Sequence, residues 1–313
     1  MRSCHPLSDK PDIFPILAVY FSPWAGYVLD ECGSSVEVPL PKIVAVTHDL
    51  LGDPFWEPFV AGIATGRAET GCEVIHLRPE TYSLMGLLDL TQQALAMKPD
   101  GLVTTLPQPE KQQPVLAQAI AEGLPVGVLN TFDRRPAEQR LASLFRVGAD
   151  DYRGGRMAAG RLLGAGHRGP ALAIDHYRVR NTCHAARIGG FADAMAASGV
   201  TTQVVAVDTL NSHAPSDIAQ AIAKHRPDSV LTLGPPGLAL LAAACDYGMP
   251  PANVTFDVTP ESIAACATGQ TMATIDCQPF LQGYLGVTLM IQFLRQGVVP
   301  VADILTGPRF AAF

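Results

Sequence analysis

From residue 42 to the end of the chain, short apolar runs alternate with longer helical segments. This alternation predicts a parallel sheet wrapped by helices. The predicted strands span 43–47, 73–77, 101–105, 125–129, 144–148, 171–175, 203–207, 229–233, 254–257 and 272–276. The predicted helices span 54–70, 83–97, 110–122, 151–165, 181–198, 215–225, 237–247, 260–268 and 279–296. Because so many strands exceed one sheet of ordinary size, we expect two sheets.

Several predicted connections from a helix to a strand repeat one turn pattern. Lys98-Pro99-Asp100-Gly101 and Arg226-Pro227-Asp228-Ser229 are near copies, and each leads into an apolar strand. In 121–126, a glycine follows the helix and a proline stands at the strand entrance. The reuse of one pattern in both halves hints at two domains of similar architecture.

Composition supports a large folded core. The chain has 313 residues, of which 48% are hydrophobic, and this suggests two domains. The formal net charge of −7 and the lack of a basic patch argue against nucleic acid as a partner. The seven cysteines form no C-x-x-C motif, so buried free thiols are expected, with a disulfide between two of them left open.

Residues 1–41 differ from the rest of the chain. Arg2 and Lys10 precede a mostly apolar stretch, 13–29, which prolines and a serine interrupt. The interruptions argue against a transmembrane helix, which needs about 20 cleanly apolar residues. An export signal is one interpretation, although no A-x-A cleavage site follows. A disordered or uncleaved leader is the other, and a misassigned start codon would also explain the segment.

The string Asp53-Pro54-Phe55-Trp56 directly follows the first predicted strand and its loop. Asp53 is a suitable N-cap, and Pro54 at the first helical position loses no hydrogen bond. The string therefore places Phe55 and Trp56 on the first turn of a helix at the carboxyl edge of the sheet, where such folds bind ligands. Surface aromatic rings at that place suit stacking on a sugar ring.

Asn181 and Arg187 belong to the helix predicted after strand 171–175. Asn181 would start that helix, again at a carboxyl edge. The guanidinium of Arg187, nearly two turns further on, is a planar fork of five donors that suits adjacent hydroxyl groups. The structural alternative is an N-capping asparagine and an ordinary surface arginine.

Asp257 stands at the end of one later strand, and Asp276 and Gln278 flank Cys277 at the end of another. A carboxylate can accept two hydrogen bonds from hydroxyl groups, and an amide can both donate and accept. The alternative is that these residues cap helices, because helices are predicted to start near Thr259 and Pro279.

Asn130 and His48 also follow predicted strands, and both are candidates for contact with a ligand. For His48, a purely structural role is the alternative. Asp150 follows strand 144–148, where it could cap the next helix near a crossover between domains.

A catalytic constellation is not visible. Residues 164–169 match G-x-G-x-x-G, but they leave a helix and open a strand, the reverse of the nucleotide fingerprint. There is no G-x-x-x-x-G-K-[ST], G-x-S-x-G or H-E-x-x-H motif. His176 and His184 lack partners at metal-ligand spacing. We therefore expect no enzyme, no metal and no cofactor.

The chain resembles the type I periplasmic binding proteins, specifically sugar-binding components of ABC importers related to the ribose-binding protein. The similarity runs from about Lys42 to the C-terminus, and its specificity comes from the order and spacing of short strings. These strings are Asp53-Pro54-Phe55-Trp56, Lys98-Pro99-Asp100-Gly101-Leu102, Gly123-Leu124-Pro125-Val126, Val147-Gly148-Ala149-Asp150, Asn181 with Arg187-Ile188-Gly189-Gly190-Phe191, Thr255-Phe256-Asp257 and Ala273-Thr274-Ile275-Asp276-Cys277-Gln278-Pro279.

The resemblance implies an α/β fold of two similar doubly wound parallel-sheet lobes, joined by three hinge crossovers, with the ligand in the cleft. The expected division is a leader at 1–41, a first lobe at 42–148 plus 277–300, and a second lobe at 149–276 plus 301–313. Within this family pattern, Phe55 and Trp56 would stack on the sugar, and Arg187 and Asp257 match hydroxyl-binding residues. Further residues at ligand-binding positions of this pattern are Asn130, Asn181, Cys277 and Gln278.

This sequence departs from the family pattern at three places. Asn130 stands where the ribose binder has an aspartate, and Cys277 stands where the family commonly has glutamine. Gly234-Pro235-Pro236-Gly237 replaces an Asn-Asp pair, so it has no side-chain donor or acceptor there. Backbone groups could substitute, but these departures indicate a ligand other than ribose.

The resemblance implies a monomeric, periplasmic solute-binding protein that captures a sugar or polyol and passes it to an ABC permease. We expect Arg187→Ala to abolish most binding and to leave the melting temperature of the empty protein nearly intact. One alternative is a sensor or the effector domain of a transcription regulator, although residues 1–41 are a poor helix-turn-helix. The other is an α/β enzyme of unknown reaction.

Overall fold

The computed structural model describes residues 27–29, 35–37, 40–48, 53–80, 83–177, 182–246 and 248–312. The chain divides into two compact units, Met1–Leu40 and Pro41–Phe313. In the first unit, β1 (Tyr27–Leu29) and β2 (Ser35–Glu37) pair antiparallel, which the sequence did not predict. Apart from Leu40, the rest of that unit, with most of the expected leader, lies outside the described residues.

The second unit contains two sheets. Among the described residues, the strands of the first sheet run in the order β13-β7-β6-β5-β3-β4, and every pair is parallel. These strands are β3 (Lys42–Val46), β4 (Glu73–Leu77), β5 (Gly101–Thr105), β6 (Val126–Asn130), β7 (Phe145–Ala149) and β13 (Ile304–Gly307).

Helices cover both faces of the first sheet. They are α1 (Trp56–Thr70), α2 (Leu84–Ala96), α3 (Pro109–Ala121) and α9 (Pro279–Gln296), with a short 3₁₀ helix at Ala137–Gln139. One apolar cluster joins the sheet to α1 and α9, and another joins it to α2 and α3. We call this sheet and its helices the first lobe.

In the second sheet the described strands run in the order β14-β12-β11-β10-β8-β9, all parallel except β14. These strands are β8 (Ala171–Tyr177), β9 (Thr202–Asp208), β10 (Ser229–Thr232), β11 (Ala252–Phe256), β12 (Ala273–Asp276) and β14 (Arg309–Phe310). The associated helices are α4 (Asp151–Gly164), α5 (Thr182–Ala196), α6 (Ala214–His225), α7 (Pro235–Ala244) and α8 (Pro260–Ala267). This sheet and its helices form the second lobe.

The predicted α/β fold with two parallel-sheet lobes is confirmed. Central strands are buried on both faces and therefore read as continuous apolar runs, as Ile43 to Val46 do at 0% exposure. In the described part of the chain the backbone passes between the sheets after β7, after β12 and between β13 and β14. None of the helices in the described residues is long and apolar enough to span a bilayer.

The short strands near the C-terminus were not predicted. We expected all of 301–313 to belong to the second lobe, but β13 pairs with β7 in the first sheet. Only β14 joins the second sheet, where it pairs antiparallel with β12. Strands of four and two residues carry too little apolar pattern to reveal which sheet they extend.

In the first lobe, α1 and α9 pack so closely that their backbones touch. A Cβ atom at Gly62 would collide with the carbonyl oxygen of Phe280, and one at Gly283 would collide with that of Phe59. Glycine at these two positions lets the helices approach, because any larger residue would force them apart.

The second lobe repeats this arrangement with α4 and α5. A Cβ atom at Gly155 would collide with the carbonyl oxygen of Arg187, and one at Gly190 would collide with that of Tyr152. The contact at Gly155 brings the first turn of α4 next to Arg187, and this proximity determines the geometry of the site described next.

Candidate functional site

Arg187 is the centre of a buried charge cluster in the second lobe. Its side chain projects from α5, and the residue is only 5% exposed. Nε donates a hydrogen bond of 2.8 Å to Oδ1 of Asp151, the first residue of α4. Nη1 donates at 2.6 Å to the carbonyl oxygen of Leu233 and lies 3.6 Å from Oδ2 of Asp257. Acceptor groups of the protein therefore already occupy several of the hydrogen-bond donors of this guanidinium.

Two further contacts complete the surroundings of Arg187. The guanidinium carbon lies 4.2 Å from the centre of the Phe256 ring, and Nη2 lies 3.7 Å from Sγ of Cys277. Burial opposes the charge of Arg187, but the carboxylates of Asp257 and Asp151 outweigh it and raise its pKa. These contacts argue against the expectation that Arg187 can be removed without loss of stability, because its loss would leave buried carboxylates uncompensated.

Asp257 directly follows β11 and is 7% exposed. Its Oδ1 is buried and has no hydrogen-bond partner. Burial raises the pKa of Asp257 to about 7; Arg187 opposes this shift, and the charges of Asp53 and Asp151 add to it. Asp257 is not the cap of α8, because the side chain of Thr259 caps that helix in a capping box with Ser262.

Three of the predicted residues share a left-handed backbone at the end of a strand. The φ angles are +68° at Asn130, +70° at Asp257 and +52° at Gln278. Residues other than glycine rarely adopt this conformation, and such outliers cluster at functional sites. The edge of each sheet thus bears strain where the sequence placed candidate ligand contacts.

The side-chain amides of Asn130 and Gln278 bond to residues close to the connections between the two lobes. Nδ2 of Asn130 donates at 3.0 Å to Oε1 of Gln282, and Nε2 of Gln278 donates to the carbonyl oxygen of Thr306. Gln278 occupies the N-cap position of α9, but its side chain makes no capping bond. Sequence reasoning missed Gln282, a fully buried amide on α9 that no pattern distinguishes from other polar helix residues.

Cys277 is 2% exposed and belongs to the apolar cluster beneath α4 and α5. Burial raises the pKa of its thiol. Its Sγ lies 3.7 Å from Nη2 of Arg187, so Cys277 lies at the edge of the charge cluster. The cysteines in the described residues, which are Cys72, Cys183, Cys245, Cys266 and Cys277, are free thiols.

The aromatic residues of the first lobe lie differently from expectation. Helix α1 begins at Trp56, whereas Pro54 and Phe55 form a turn in which Oδ1 of Asp53 accepts a hydrogen bond of 3.0 Å from the nitrogen of Phe55. Trp56 is 5% exposed, so it is not a surface residue. Its ring meets those of Phe55 and Phe59 edge-on, while Phe55 stays half-buried.

His48 extends this aromatic group toward the second lobe. Its ring lies edge-on to Trp56 at 4.9 Å, and Nδ1 is 2.8 Å from Oγ1 of Thr105. Burial, with a contribution from His184, lowers the pKa of His48 to about 3, so the ring is neutral.

Charges of the two lobes act on each other across the facing sheet edges. His48 of the first lobe is influenced by His184 of the second, and Asp257 of the second by Asp53 of the first. A direct hydrogen bond of 3.2 Å also joins the nitrogen of Thr182 to the carbonyl oxygen of Pro107. The structure therefore brings His48 and Asp53 of the first lobe to the same region between the lobes as the charge cluster around Arg187 and Asp257.

Two histidines of the second lobe join this region, although the sequence analysis found no role for them. The rings of His176 and His184 are 4.8 Å apart, and Nδ1 of His184 lies 3.4 Å from Oδ1 of Asp175. Burial lowers the pKa of both histidines. No group of three potential ligands for a metal ion occurs within the described ranges. Asn181, another predicted contact, lies outside the described residues.

A cavity of ≈ 470 Å³ opens beside the site at the boundary of the lobes. The first lobe contributes residues 107–111 and 133–135, and α5 of the second lobe contributes Thr182 and Ala185. Arg135 in its wall is held by a 2.6 Å ion pair with Asp133.

Comparison with known proteins identifies the class. A sequence model of the periplasmic binding protein domain matches residues 44–297, so the chain belongs to this family. A search of curated proteins found no match.

Several solved structures share the fold. A periplasmic sugar binding protein of an ABC sugar transporter from Legionella pneumophila aligns with a TM-score of 0.78 at 21% identity, over 85% of this chain and 99% of its own. A glucose-galactose binding protein from Geobacillus stearothermophilus gives a TM-score of 0.76 at 20% identity, over 87% and 97%. A carbohydrate transporter from Acidothermus cellulolyticus, solved with myo-inositol, gives 0.76 at 25% identity, over 87% and 94%.

Proposed function

We propose that this protein binds a sugar or polyol between its two lobes and presents it to an ABC permease outside the cytoplasm. Membership of the periplasmic binding protein family supports this role, as do sugar- and inositol-binding relatives of the same fold. Ligand contacts on both lobes would stabilise the closed arrangement, so binding would shift an equilibrium between open and closed states.

The observation that carries the proposal is the buried Oδ1 of Asp257. An acceptor buried without a partner costs about 1–3 kcal/mol, and a ligand hydroxyl group that donates to it recovers that free energy. In this proposal Asp257 accepts a hydrogen bond from a hydroxyl group of the ligand, and the half-buried ring of Phe55 makes an apolar contact with the ligand. Arg187 holds Asp257 in place and offers the remaining donors of its fork.

The other residues predicted to bind the ligand have supporting roles in this proposal. Trp56 lies edge-on to both Phe55 and His48 and supports the ring of Phe55. Asn181 remains a candidate for a second hydroxyl group. Asn130, Cys277 and Gln278 lie where the hinge meets the site, so they act on the shape of the closed cleft.

A thermal-shift screen with pentoses, hexoses and polyols tests the proposal, followed by calorimetry on each hit. A ligand at 100 times its Kd adds about 2.7 kcal/mol to the free energy of unfolding. Asp257→Asn should weaken the hit at least tenfold, whereas Asp89→Asn, at an exposed position on α2, should leave its affinity unchanged. A panel without any stabilising sugar or polyol, or an Asp257→Asn variant that binds normally, would contradict the proposal.

A further inference from the structure

Strand β9 lies at one edge of the second sheet, and no strand of the described residues pairs with its outer side. The nitrogen of Ala171 donates to the carbonyl oxygen of Thr201, and the parallel register places Ala171 opposite Thr202. Along such a ladder, alternate residues bond to the neighbouring strand and the residues between them face away from it. The N–H and C=O groups of Thr202, Val204 and Ala206 therefore point away from β8. We call this outward-facing side of β9 the β9 edge.

The other sheet edges in the described part of the second unit are protected against pairing. Strand β13 has four residues, and its register shifts between Leu305 and Gly307. Strand β14 has two residues, one of which is Arg309. Strand β4 begins with the charged Glu73. Short strands, irregular register and charged residues are the features by which native proteins prevent sheet edges from pairing with other chains.

The β9 edge has none of these protective features. The strand has seven residues, and its register with β8 is continuous. The run 199–207 contains no charged residue and no proline. Val204 is 51% exposed, and Gln203 and Ala206 are exposed as well. A long, uncharged and exposed edge strand is a template for pairing with another strand.

A second copy of this chain is the partner that the β9 edge fits in charge. With a formal net charge of −7, two copies repel each other, so a contact between them needs a surface of low charge. The run 199–207 brings no charged side chain of its own to such a contact.

The sequence of β9 is also compatible with pairing to itself. In an antiparallel arrangement with a twofold axis at Val204, this valine lies opposite its own copy and Thr202 lies opposite Ala206. These three residues carry the outward-pointing backbone groups, so each pair can exchange hydrogen bonds. Asp208, the only charged residue of β9, lies opposite Val200. The pairing therefore opposes no like charges, which would destabilise it.

We propose that two copies of this protein form a dimer by antiparallel pairing of their β9 edges, which joins the two second sheets into one continuous sheet. This assembly differs from the monomer that the family resemblance implied. The connections after β12 and between β13 and β14 enter the second sheet at the side opposite to β9, so the pairing leaves the first lobes free to move. A single pair of strands is smaller than a standard interface of about 1,600 Å², so the dimer should dissociate on dilution.

Sedimentation velocity of the full chain without ligand tests the dimer. The mass should rise from that of one chain toward that of two chains as the concentration increases about 100-fold. No larger species should form, because the pairing uses the β9 edge of both copies. A monomer at every concentration, or an open-ended series of larger species, would overturn the inference. Since no ligand is present, neither outcome bears on the proposed function.

A charged residue at the twofold axis provides the second test. Val204→Lys places two like charges opposite each other and should weaken the dimer at least tenfold. Val298→Lys is the matched control, because Val298 is also 51% exposed and lies outside both sheets. This control should dimerise like the original protein, and circular dichroism checks that both variants fold. Undiminished dimerisation of Val204→Lys would overturn the inference, as would a dimer that only Val298→Lys disrupts.

A mixture of two variants tests the register. Val204→Glu alone should be as weakly associated as Val204→Lys alone, because each again opposes like charges at the axis. An equimolar mixture of the two should form a heterodimer, since opposite charges then face each other. Failure of the mixture to associate more strongly than either variant alone would overturn the proposed pairing.

Discussion

Nε of Arg187 and Oδ1 of Asp151 join α5 to the first turn of α4 through a buried hydrogen bond of 2.8 Å. The two residues are 36 positions apart in sequence. Because Gly155 has no side chain, α4 and α5 can approach closely enough for this contact to form. Asp151 is a positioning residue in this arrangement, because it orients the guanidinium that lies beside Asp257.

Arg187→Ala should therefore lower stability as well as affinity. Removal of one member of a buried ion pair costs about 3–5 kcal/mol, since the carboxylates of Asp151 and Asp257 lose their partner. Urea denaturation of the empty protein measures the loss. Arg161→Ala, at an exposed position in the last turn of α4, is the matched control and should stay within about 0.5 kcal/mol of the original. Equal midpoints for the original protein and Arg187→Ala would contradict the role of the buried pair.

The raised pKa of Asp257 predicts a specific dependence of stability on pH. An ordinary aspartate titrates near 3.8, whereas Asp257 titrates near 7 in the folded protein. Between these values the folded state binds the extra proton, so Asp257 makes stability fall as pH rises from about 4 to 7, by at most about 1.4 kcal/mol per pH unit. The loss continues as pH rises through 7 and is nearly complete about one pH unit above it.

Comparison with Asp257→Asn isolates that contribution. The buried histidines act in the opposite direction, because their lowered pKa values make stability fall on acidification, but they are present in both proteins. The free energy of unfolding of the original protein, minus that of Asp257→Asn, should decrease as pH rises from about 4.5 through 7 and become constant about one pH unit above 7. A difference independent of pH would show that Asp257 titrates normally.

The close helix pairs predict which glycines cannot be replaced. Gly190→Ala should destabilise the protein by about 1–3 kcal/mol, because its Cβ atom would collide with the backbone of Tyr152 and separate α4 from α5. Gly160→Ala on the exposed side of α4 should instead stabilise by about 0.5–1 kcal/mol through helix propensity. Thermal unfolding of both variants tests the contrast, and destabilisation of similar size in both would argue against close packing as the cause.

Gln282→Leu should loosen the hinge side of the first lobe. The variant would deprive Asn130, the carbonyl oxygen of Cys277 and the hydroxyl group of Thr306 of one hydrogen bond each, at a total of about 1–3 kcal/mol. Gln292→Leu, at an exposed site on the same helix, is the control. Hydrogen exchange of the amides in β13 should accelerate only in Gln282→Leu, and equal exchange in both variants would contradict this assignment.

Local patterns were sufficient to predict most regular elements and the residues at the strand ends. Central strands buried on both faces produce apolar runs, and glycine and proline mark the turns between elements. The start of α1 was misplaced by two residues because proline is compatible with both a turn and a first helical position.

What local patterns could not predict are contacts between distant segments. Whether Trp56 faces solvent or the core depends on neighbouring elements such as α9, which follows more than 200 residues later. In the same way, the burial of Arg187 depends on Asp151 and Asp257, and nothing in the sequence near Arg187 distinguishes it from a surface arginine. Long-range packing decides both cases.

The buried amide of Gln282 also limits where the molecule can bend. It holds the end of β6, the segment entering α9 and strand β13 as one rigid block. Rotation of one sheet against the other would then be absorbed beyond that block, in the connections after β7, after β12 and between β13 and β14. The residues of the charge cluster around Arg187 would then move together, as one rigid group, relative to the aromatic rings of Phe55 and Trp56 in the first lobe.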